Sequence, residues 1–195
     1  CLSRGLGDVY KRQAHLAVAI DATAEDLPFA DNSFDASMAT VTVHQWSDLE
    51  AGLAEMRRVT RGPVVLLVCD PELMMDYWLS DYIPEVREAE ARRFPTIQRI
   101  KTALGGDVAV EAVPVPLDCK DGFNEAYYGR PEAFLNEAAR LACSSWSFVP
   151  KEAVDRFVRE LSDDLESGRW DENYGHLRSQ PLFDGPLRLV IGKVG

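Results

Sequence analysis

The stretch Ala24-Glu25-Asp26-Leu27-Pro28-Phe29 decides the fold, together with Ser33-Phe34-Asp35 and the run of residues 36–43 that follow it. Asp31 and Asn32 separate the two parts, and these polar residue types favour a turn. The pattern therefore predicts a strand end, a short loop, a turn and a buried strand over residues 36–43. A crossover between strands of a parallel sheet has this arrangement.

A helix and a second apolar strand are predicted next along the chain. Ser47 and Asp48 are favourable N-cap residues. Four apolar residues follow at helical spacing, namely Leu49, Leu53, Met56 and Val59. Gly62-Pro63 ends the helix, and residues 64–68 are apolar. We therefore predict a helix over residues 49–59 and a buried strand over residues 64–68.

These elements, in this order, resemble the middle of a class I S-adenosylmethionine-dependent methyltransferase of the small-molecule type 11 kind. The matching motifs are an AE-x-LPF loop, an SFD strand opening, an H-x-x-x-D sequence from His44 and an E-M-x-R-V helix end from Glu55. The resemblance covers residues 24–70. It implies an α/β fold with a Rossmann-like sheet, mostly parallel with an antiparallel last strand, and S-adenosyl-L-methionine as cofactor.

The Gly-rich cofactor loop of that family has no counterpart in this sequence. Glycine is needed where backbone approaches the cofactor closely, yet no glycine occurs between Gly7 and Gly52. Gly5-Leu6-Gly7 has the letters of the motif, but the four residues before it cannot form a buried strand. We therefore expect an N-terminally truncated domain over residues 14–195, missing its first strands. Residues 1–13 lack periodicity and are interpreted as a foreign or disordered leader.

The remainder of the chain is predicted from the same resemblance and from local patterns. Residues 16–20 fit a third strand, residues 108–117 a sixth, and residues 186–193 a last strand that returns antiparallel between the fifth and the sixth. Helices are predicted over residues 73–79, 84–94, 96–104, 131–143 and 151–165. Two helical insertions, residues 72–105 and 120–185, are interpreted as the source of an acceptor pocket and a lid.

Composition excludes several classes of function. A length of 195 residues and a hydrophobic content of 46% predict one domain with a substantial core. The net charge of −11 argues against a nucleic-acid partner, because phosphate binding needs a face rich in Lys and Arg. Four scattered cysteines and three scattered histidines predict neither a disulfide framework nor a metal site. No apolar stretch could span a bilayer, so we expect a cytoplasmic protein without a membrane partner.

The resemblance assigns five residues to the cofactor. The loop Thr23-Ala24-Glu25 should face the adenine ring, with the backbone amide of Ala24 directed to a ring nitrogen. Many relatives have an acidic residue where Thr23 stands, so a hydroxyl or a backbone contact would replace it. Glu25 has the alternative of being a loop carboxylate in solvent. Ala39 and Thr40, at the end of the predicted fourth strand, match positions close to the methionine part of the cofactor.

Two residues are candidates for acid–base chemistry. His44 follows the fourth strand, and its neutral imidazole can accept a proton near neutral pH. Its alternative is a structural histidine that bonds to the backbone. Asp70 follows the fifth strand and could face the acceptor, or it could cap the turn that begins at Pro71.

The function that the resemblance implies is methyl transfer to a small molecule. The alternative is an inactive fold remnant or interaction module that binds no cofactor. A nicotinamide-dependent dehydrogenase shares this type of sheet, but the LPF and SFD blocks match the methyltransferase arrangement instead.

Overall fold

The computed structural model describes residues 20–193. The strands in this part of the chain are β1 (Ser37–Thr40), β2 (Val64–Cys69), β3 (Val108–Ala112), β4 (Val115–Pro116), β5 (Leu182–Phe183) and β6 (Leu187–Gly192). Four of them form the main sheet in the order β1-β2-β6-β3, and β4 pairs with β5 in a separate antiparallel pair. The leader assigned to residues 1–13 and nearly all of the strand predicted over residues 16–20 lie outside the described residues.

The first strand pair has the predicted parallel arrangement. Ser37 lies opposite Val64, and Thr40 lies opposite Leu67. β1 is shorter than the strand predicted over residues 36–43, because Val41 has a positive φ of 45° and turns the chain. In the described part of the sheet β1 is an edge strand.

The last strand runs against its neighbours, as the sequence predicts. Backbone hydrogen bonds join Val113 to Leu187 at one end of the β3–β6 pair and Lys193 to Asp107 at the other, so the two strands are antiparallel. Asp70, just after β2, donates to the residue that precedes β6, so the end of β2 meets the start of β6. β1, β2 and β3 therefore share one direction, and β6 lies between β2 and β3 in the opposite direction.

The α-helices of the described residues are α1 (Leu49–Val59), α2 (Leu79–Tyr82), α3 (Pro84–Ala91), α4 (Ile97–Leu104), α5 (Glu137–Leu141), α6 (Lys151–Ser167) and α7 (Arg169–Tyr174). α1 has the predicted bounds, and Asp48 is its N-cap, accepting from the backbone N–H of Ala51 at 2.9 Å. The helices predicted over residues 84–94, 96–104 and 151–165 are confirmed with small changes at their ends.

Three predicted elements differ in detail from the structure. In place of a helix over residues 73–79, a 3₁₀ turn at Pro71–Leu73 precedes α2, and the carbonyl oxygen of Met74 accepts from the Arg87 guanidinium rather than from a helical N–H. The strand predicted over residues 108–117 ends at Ala112, which confirms the expectation that Pro114 and Pro116 would end it early, since proline cannot donate to a ladder. The helix predicted over residues 131–143 is split at Asn136, which is extended and caps α5.

The chain folds into two compact units. Among the described residues, the first comprises residues 20–67, 97–109 and 190–193, and the second comprises residues 68–96 and 110–189. In the first unit the apolar face of α1 is buried, including the fully buried Leu53. In the second unit the core is aromatic, with Trp78, Tyr128, Phe134 and Trp170 buried. Most aromatic residues of the 120–185 insertion are therefore core, although Phe148 is 60% exposed. Among residues 20–193, no helix combines the length and the apolar character needed to cross a bilayer.

Candidate functional site

The first unit contains a cavity of about 850 Å³ beside β1. Its walls are the loop over residues 22–29, the strand β1, the segment that follows β1 and two residues of α1. All five residues that the sequence assigns to the cofactor line this cavity, namely Thr23, Ala24, Glu25, Ala39 and Thr40. Two segments that are separated in sequence therefore meet at one cavity.

Glu25 joins the loop to the beginning of α1. Its Oε1 atom accepts from the backbone N–H of Ser47 at 2.8 Å and from that of Asp48 at 3.0 Å. These bonds hold the pKa of Glu25 below its usual range, and the bond from Asp48 has the largest effect. A carboxylate at this position is also favoured by the positive end of the helix dipole. The alternative of a carboxylate that interacts with solvent alone is therefore wrong.

The other end of the same loop is held by the last turns of α1. Leu27 donates its N–H to Glu55 Oε2 at 2.9 Å, and its carbonyl oxygen accepts from Arg58 at 3.0 Å. Arg58 also donates to the carbonyl oxygen of Phe29 at 2.7 Å. Glu55 and Arg58 form a bidentate pair at 2.7 and 2.8 Å, which lowers the pKa of Glu55 to about 2. Residues of the AE-x-LPF motif and residues of the E-M-x-R-V motif therefore bind each other directly.

Trp46 forms a cavity wall that the sequence analysis did not identify. Its indole lies against α1 at Gly52, where an added Cβ would come within 2.5 Å of Trp46 Cε3 and 3.3 Å of the Ala24 methyl carbon. Any side chain larger than hydrogen at this position would displace the indole or the loop. The available signal was a glycine in the middle of an amphipathic helix, which often marks a packing requirement.

The chemical character of the cavity fits an adenosyl cofactor. Its volume lies in the range of small-molecule sites, and Phe29, Met38 and Met56 supply apolar surface for a purine ring. Ser37 also lines the cavity, and its Oγ is buried without a hydrogen-bond partner among the described residues. Thr40 and Gln45 supply further polar side chains to the cavity walls. The residues present therefore fit an apolar ring that carries polar substituents.

The turn after β1 is strained. Val41 adopts a φ of 45°, which is unusual for a β-branched residue, while its N–H donates to the carbonyl oxygen of Leu67 at 2.8 Å. The turn directs the chain into the short 3₁₀ helix Val43–Gln45. As a result Thr42, Gln45 and Trp46 line the cavity.

The two candidate acid–base residues are placed differently. His44 is partly buried within Val43–Gln45, next to the cavity-lining Gln45 but outside the group of lining residues. Its role as a base stays a prediction. Asp70 belongs to the second unit, and its Oδ1 accepts from the N–H of Glu72 at 3.1 Å. Its capping alternative is thus confirmed.

Known proteins have a similar fold and a similar sequence in part of this chain. A solved structure from Anabaena variabilis, described as a methyltransferase from an antibiotic biosynthesis pathway, aligns with a TM-score of 0.81 and 29% identity, over 90% of this chain and 72% of that chain. A family model described as a methyltransferase domain matches residues 5–68. The chain is therefore similar to methyltransferases in sequence over residues 5–68 and in fold over most of its length.

A curated protein is also similar to part of this chain. The Escherichia coli protein YafE, described as uncharacterized, is 43% identical over 61 residues, which are 29% of this chain and 30% of that protein. The family match includes residues 5–13, which the sequence analysis assigns to a leader. That assignment concerns residues outside the described part and stays a prediction.

Proposed function

We propose that this chain is an S-adenosyl-L-methionine-dependent methyltransferase that acts on a small molecule in the cytoplasm. One observation carries the proposal. The loop residues Thr23 and Ala24 and the strand-end residues Ala39 and Thr40 line one cavity, in a part of the chain that is similar to a methyltransferase domain.

The residues of the cavity divide into two groups with different tasks. Thr23 and Ala24, beside the apolar wall, would hold the adenosine part of the cofactor. Ala39 and Thr40 would hold its methionine part. The bound cofactor supplies a methyl group on a positively charged sulfur, which already leaves readily. The protein therefore contributes mainly alignment of the reactants and exclusion of water.

His44 is our candidate for the group that accepts a proton from the acceptor. It lies one residue before the cavity-lining Gln45, in the short helix that follows β1. A histidine is suited to this task because its imidazole exchanges protons near neutral pH. Asp70 is the weaker candidate, because its carboxylate is engaged as a cap.

Two observations support a small-molecule acceptor. The net charge of −11 disfavours nucleic acid, whose phosphates would be repelled. The similar protein from Anabaena variabilis is described as part of an antibiotic biosynthesis pathway, and such pathways modify small molecules.

The competing proposal is an inactive fold remnant or interaction module. It is favoured by the absence of any glycine between Gly7 and Gly52, because the family's Gly-rich loop makes close backbone contact with the cofactor. The two proposals differ in whether this chain binds the cofactor at all.

Calorimetric titration of the 195-residue chain with S-adenosylhomocysteine, the product form of the cofactor, tests the proposal. We expect weak but saturable binding, because the Gly-rich loop is absent, and we expect Thr40→Trp to abolish it, because the larger side chain fills the cavity. Thr102→Trp is the matched control, since Thr102 is exposed on α4 and does not line the cavity. Absence of binding by the unaltered chain would favour the inactive alternative.

A further inference from the structure

The loop and α1 are connected at two places that have different chemistry. Near the end of the helix, the side chains of Glu55 and Arg58 bind the backbone of Leu27 and Phe29. Near its beginning the roles are reversed, because the side chain of Glu25 binds the backbone of the helix start. The loop is therefore held along its length against one helix.

The contact at the helix start also fixes the position of Trp46. The N–H that Glu25 binds at 2.8 Å belongs to Ser47, so it is part of the peptide unit that joins Trp46 to Ser47. The indole of Trp46 then lies against Gly52, beside the methyl group of Ala24. One carboxylate thus connects two walls of the cavity, the loop and Trp46.

The sequence suggested a direct role for Glu25 at the cofactor, but the geometry points to a different one. We propose that Glu25 is a positioning residue, whose carboxylate sets the spacing between the Thr23-Ala24 wall and the Trp46 wall and thereby the affinity for the cofactor. This inference rests on the proposed function, since it assumes that the cavity binds an adenosyl ligand.

The charge and the reach of Glu25 both matter for this role. A carboxylate oxygen can accept two N–H groups at once, and bonds of this type are stronger than bonds between neutral groups. Gln has the same length and retains one carbonyl oxygen, but it lacks the charge that the helix start favours. Glu25→Gln should therefore keep part of the contact, whereas Glu25→Ala removes it.

A matched control exists on the same helix. Glu50 also has its carboxylate engaged by a neighbour, the Arg99 guanidinium at 2.7 and 2.8 Å, but it does not line the cavity. Glu50→Ala therefore removes a glutamate contact of α1 and leaves the cavity walls untouched.

The first measurement is hydrogen exchange at the amides of Ser47 and Asp48 in the free protein, with folding checked by circular dichroism. We expect Glu25→Ala to accelerate exchange at both amides by roughly tenfold or more, Glu25→Gln by less, and Glu50→Ala not at all. A residue that acted only by touching the cofactor would leave exchange in the free protein unchanged. Unchanged exchange in Glu25→Ala would overturn the positioning role.

The second measurement uses Trp46, since the other tryptophans, Trp78, Trp146 and Trp170, belong to the second unit. Emission is recorded with and without S-adenosylhomocysteine, and the spectrum of Trp46→Phe is subtracted. Glu25→Ala should shift the Trp46 emission and weaken the binding of S-adenosylhomocysteine by about tenfold or more, with Glu25→Gln between it and the unaltered chain.

The two proposals fail in different ways. Faster exchange in Glu25→Ala with unchanged affinity would show that Glu25 holds the loop without controlling the site, which overturns the inference. An unaltered chain that binds no S-adenosylhomocysteine contradicts the proposed function, whereas the exchange measurement in the free protein judges the contact of Glu25 in either case.

Discussion

The guanidinium of Arg58 donates a hydrogen bond to the backbone carbonyl oxygen of Phe29 at 2.7 Å. The two residues belong to different motifs that lie 29 positions apart. A second bond from the same guanidinium reaches the carbonyl oxygen of Leu27, and its remaining donors bind the carboxylates of Glu55 and Asp31. The motifs therefore occur together because the arginine needs both the loop carbonyls and the glutamate.

Arg58→Lys should lower the stability of the chain even though the positive charge is retained. The ammonium group of lysine cannot reproduce the planar arrangement of donors that reaches two carbonyl oxygens and two carboxylates together. The measurement is the urea midpoint by circular dichroism. Arg61→Lys is the control, because the Arg61 side chain and its partner Asp35 are exposed. Equal midpoints for the two variants would contradict the importance of the Arg58 contacts.

Acid should weaken the attachment of the loop in a defined pH range. The pKa of Glu55 in the folded protein is about 2, below its ordinary value of 4.5, because Arg58 binds it. A lowered pKa in the folded state means that the contribution to stability is complete above about pH 4.5 and is lost as the pH falls towards 2. Glu25 contributes with the same sign, since its pKa is also lowered.

The acid dependence is measured as the urea midpoint at several pH values between neutral and strongly acidic. Glu55→Gln should lower stability at neutral pH and flatten the decline within that range, because the variant has no carboxyl group there to protonate. If the decline in Glu55→Gln is as steep as in the unaltered chain, other carboxylates determine the acid dependence.

Gly52→Ala should damage the cavity although it improves the helix. Alanine is favoured over glycine in a helix by about 1 kcal/mol, but its Cβ would lie 2.5 Å from Trp46 Cε3. We expect a shifted Trp46 emission, weaker binding of S-adenosylhomocysteine and no gain in thermal stability. Gly175→Ala serves as the control, because a Cβ there meets Asp171 at an ordinary 3.5 Å. A more stable protein with unchanged binding would show that the Trp46 wall adjusts freely.

His44→Ala should reduce turnover more than cofactor affinity. Loss of a general base typically slows a reaction by about a hundredfold to ten-thousandfold, whereas His44 does not line the cavity proposed for the cofactor. Turnover on an identified acceptor and binding of S-adenosylhomocysteine are measured separately. His176→Ala is the control, since that histidine is exposed in the second unit. Full turnover by His44→Ala would leave His44 with its structural alternative.

Local signals predicted α1 well because several of them agreed. Asp48 caps the helix, its apolar positions repeat at helical spacing, and Gly62-Pro63 prevents its continuation. The helix over residues 73–79 was wrong because a distant residue decides the outcome there. Arg87 binds the carbonyl oxygen of Met74, and no pattern within the segment announces that contact.

The same distinction holds for the site. The common location of the five residues assigned to the cofactor could be predicted because they belong to motifs with fixed spacing, and they do line one cavity. Their role at the cofactor stays a prediction. Trp46 was missed because its position depends on Gly52 of α1, where only a residue without a side chain leaves room for the indole. The task of Glu25 depends on where the start of α1 lies, which follows from packing and not from the loop itself.

The turn at Val41, beside the cavity, has a strained backbone conformation. A left-handed φ costs a residue such as valine roughly 1–2 kcal/mol. Glycine at this corner would avoid that energy, but it would make the backbone there more flexible. Replacing Val41 by glycine would therefore release strain and loosen the path into Val43–Gln45 in one step. At this position a lower backbone strain energy and a well-defined backbone path are opposed. Selection of variants for heat resistance alone could therefore favour a less rigid corner and a less well-defined cavity wall.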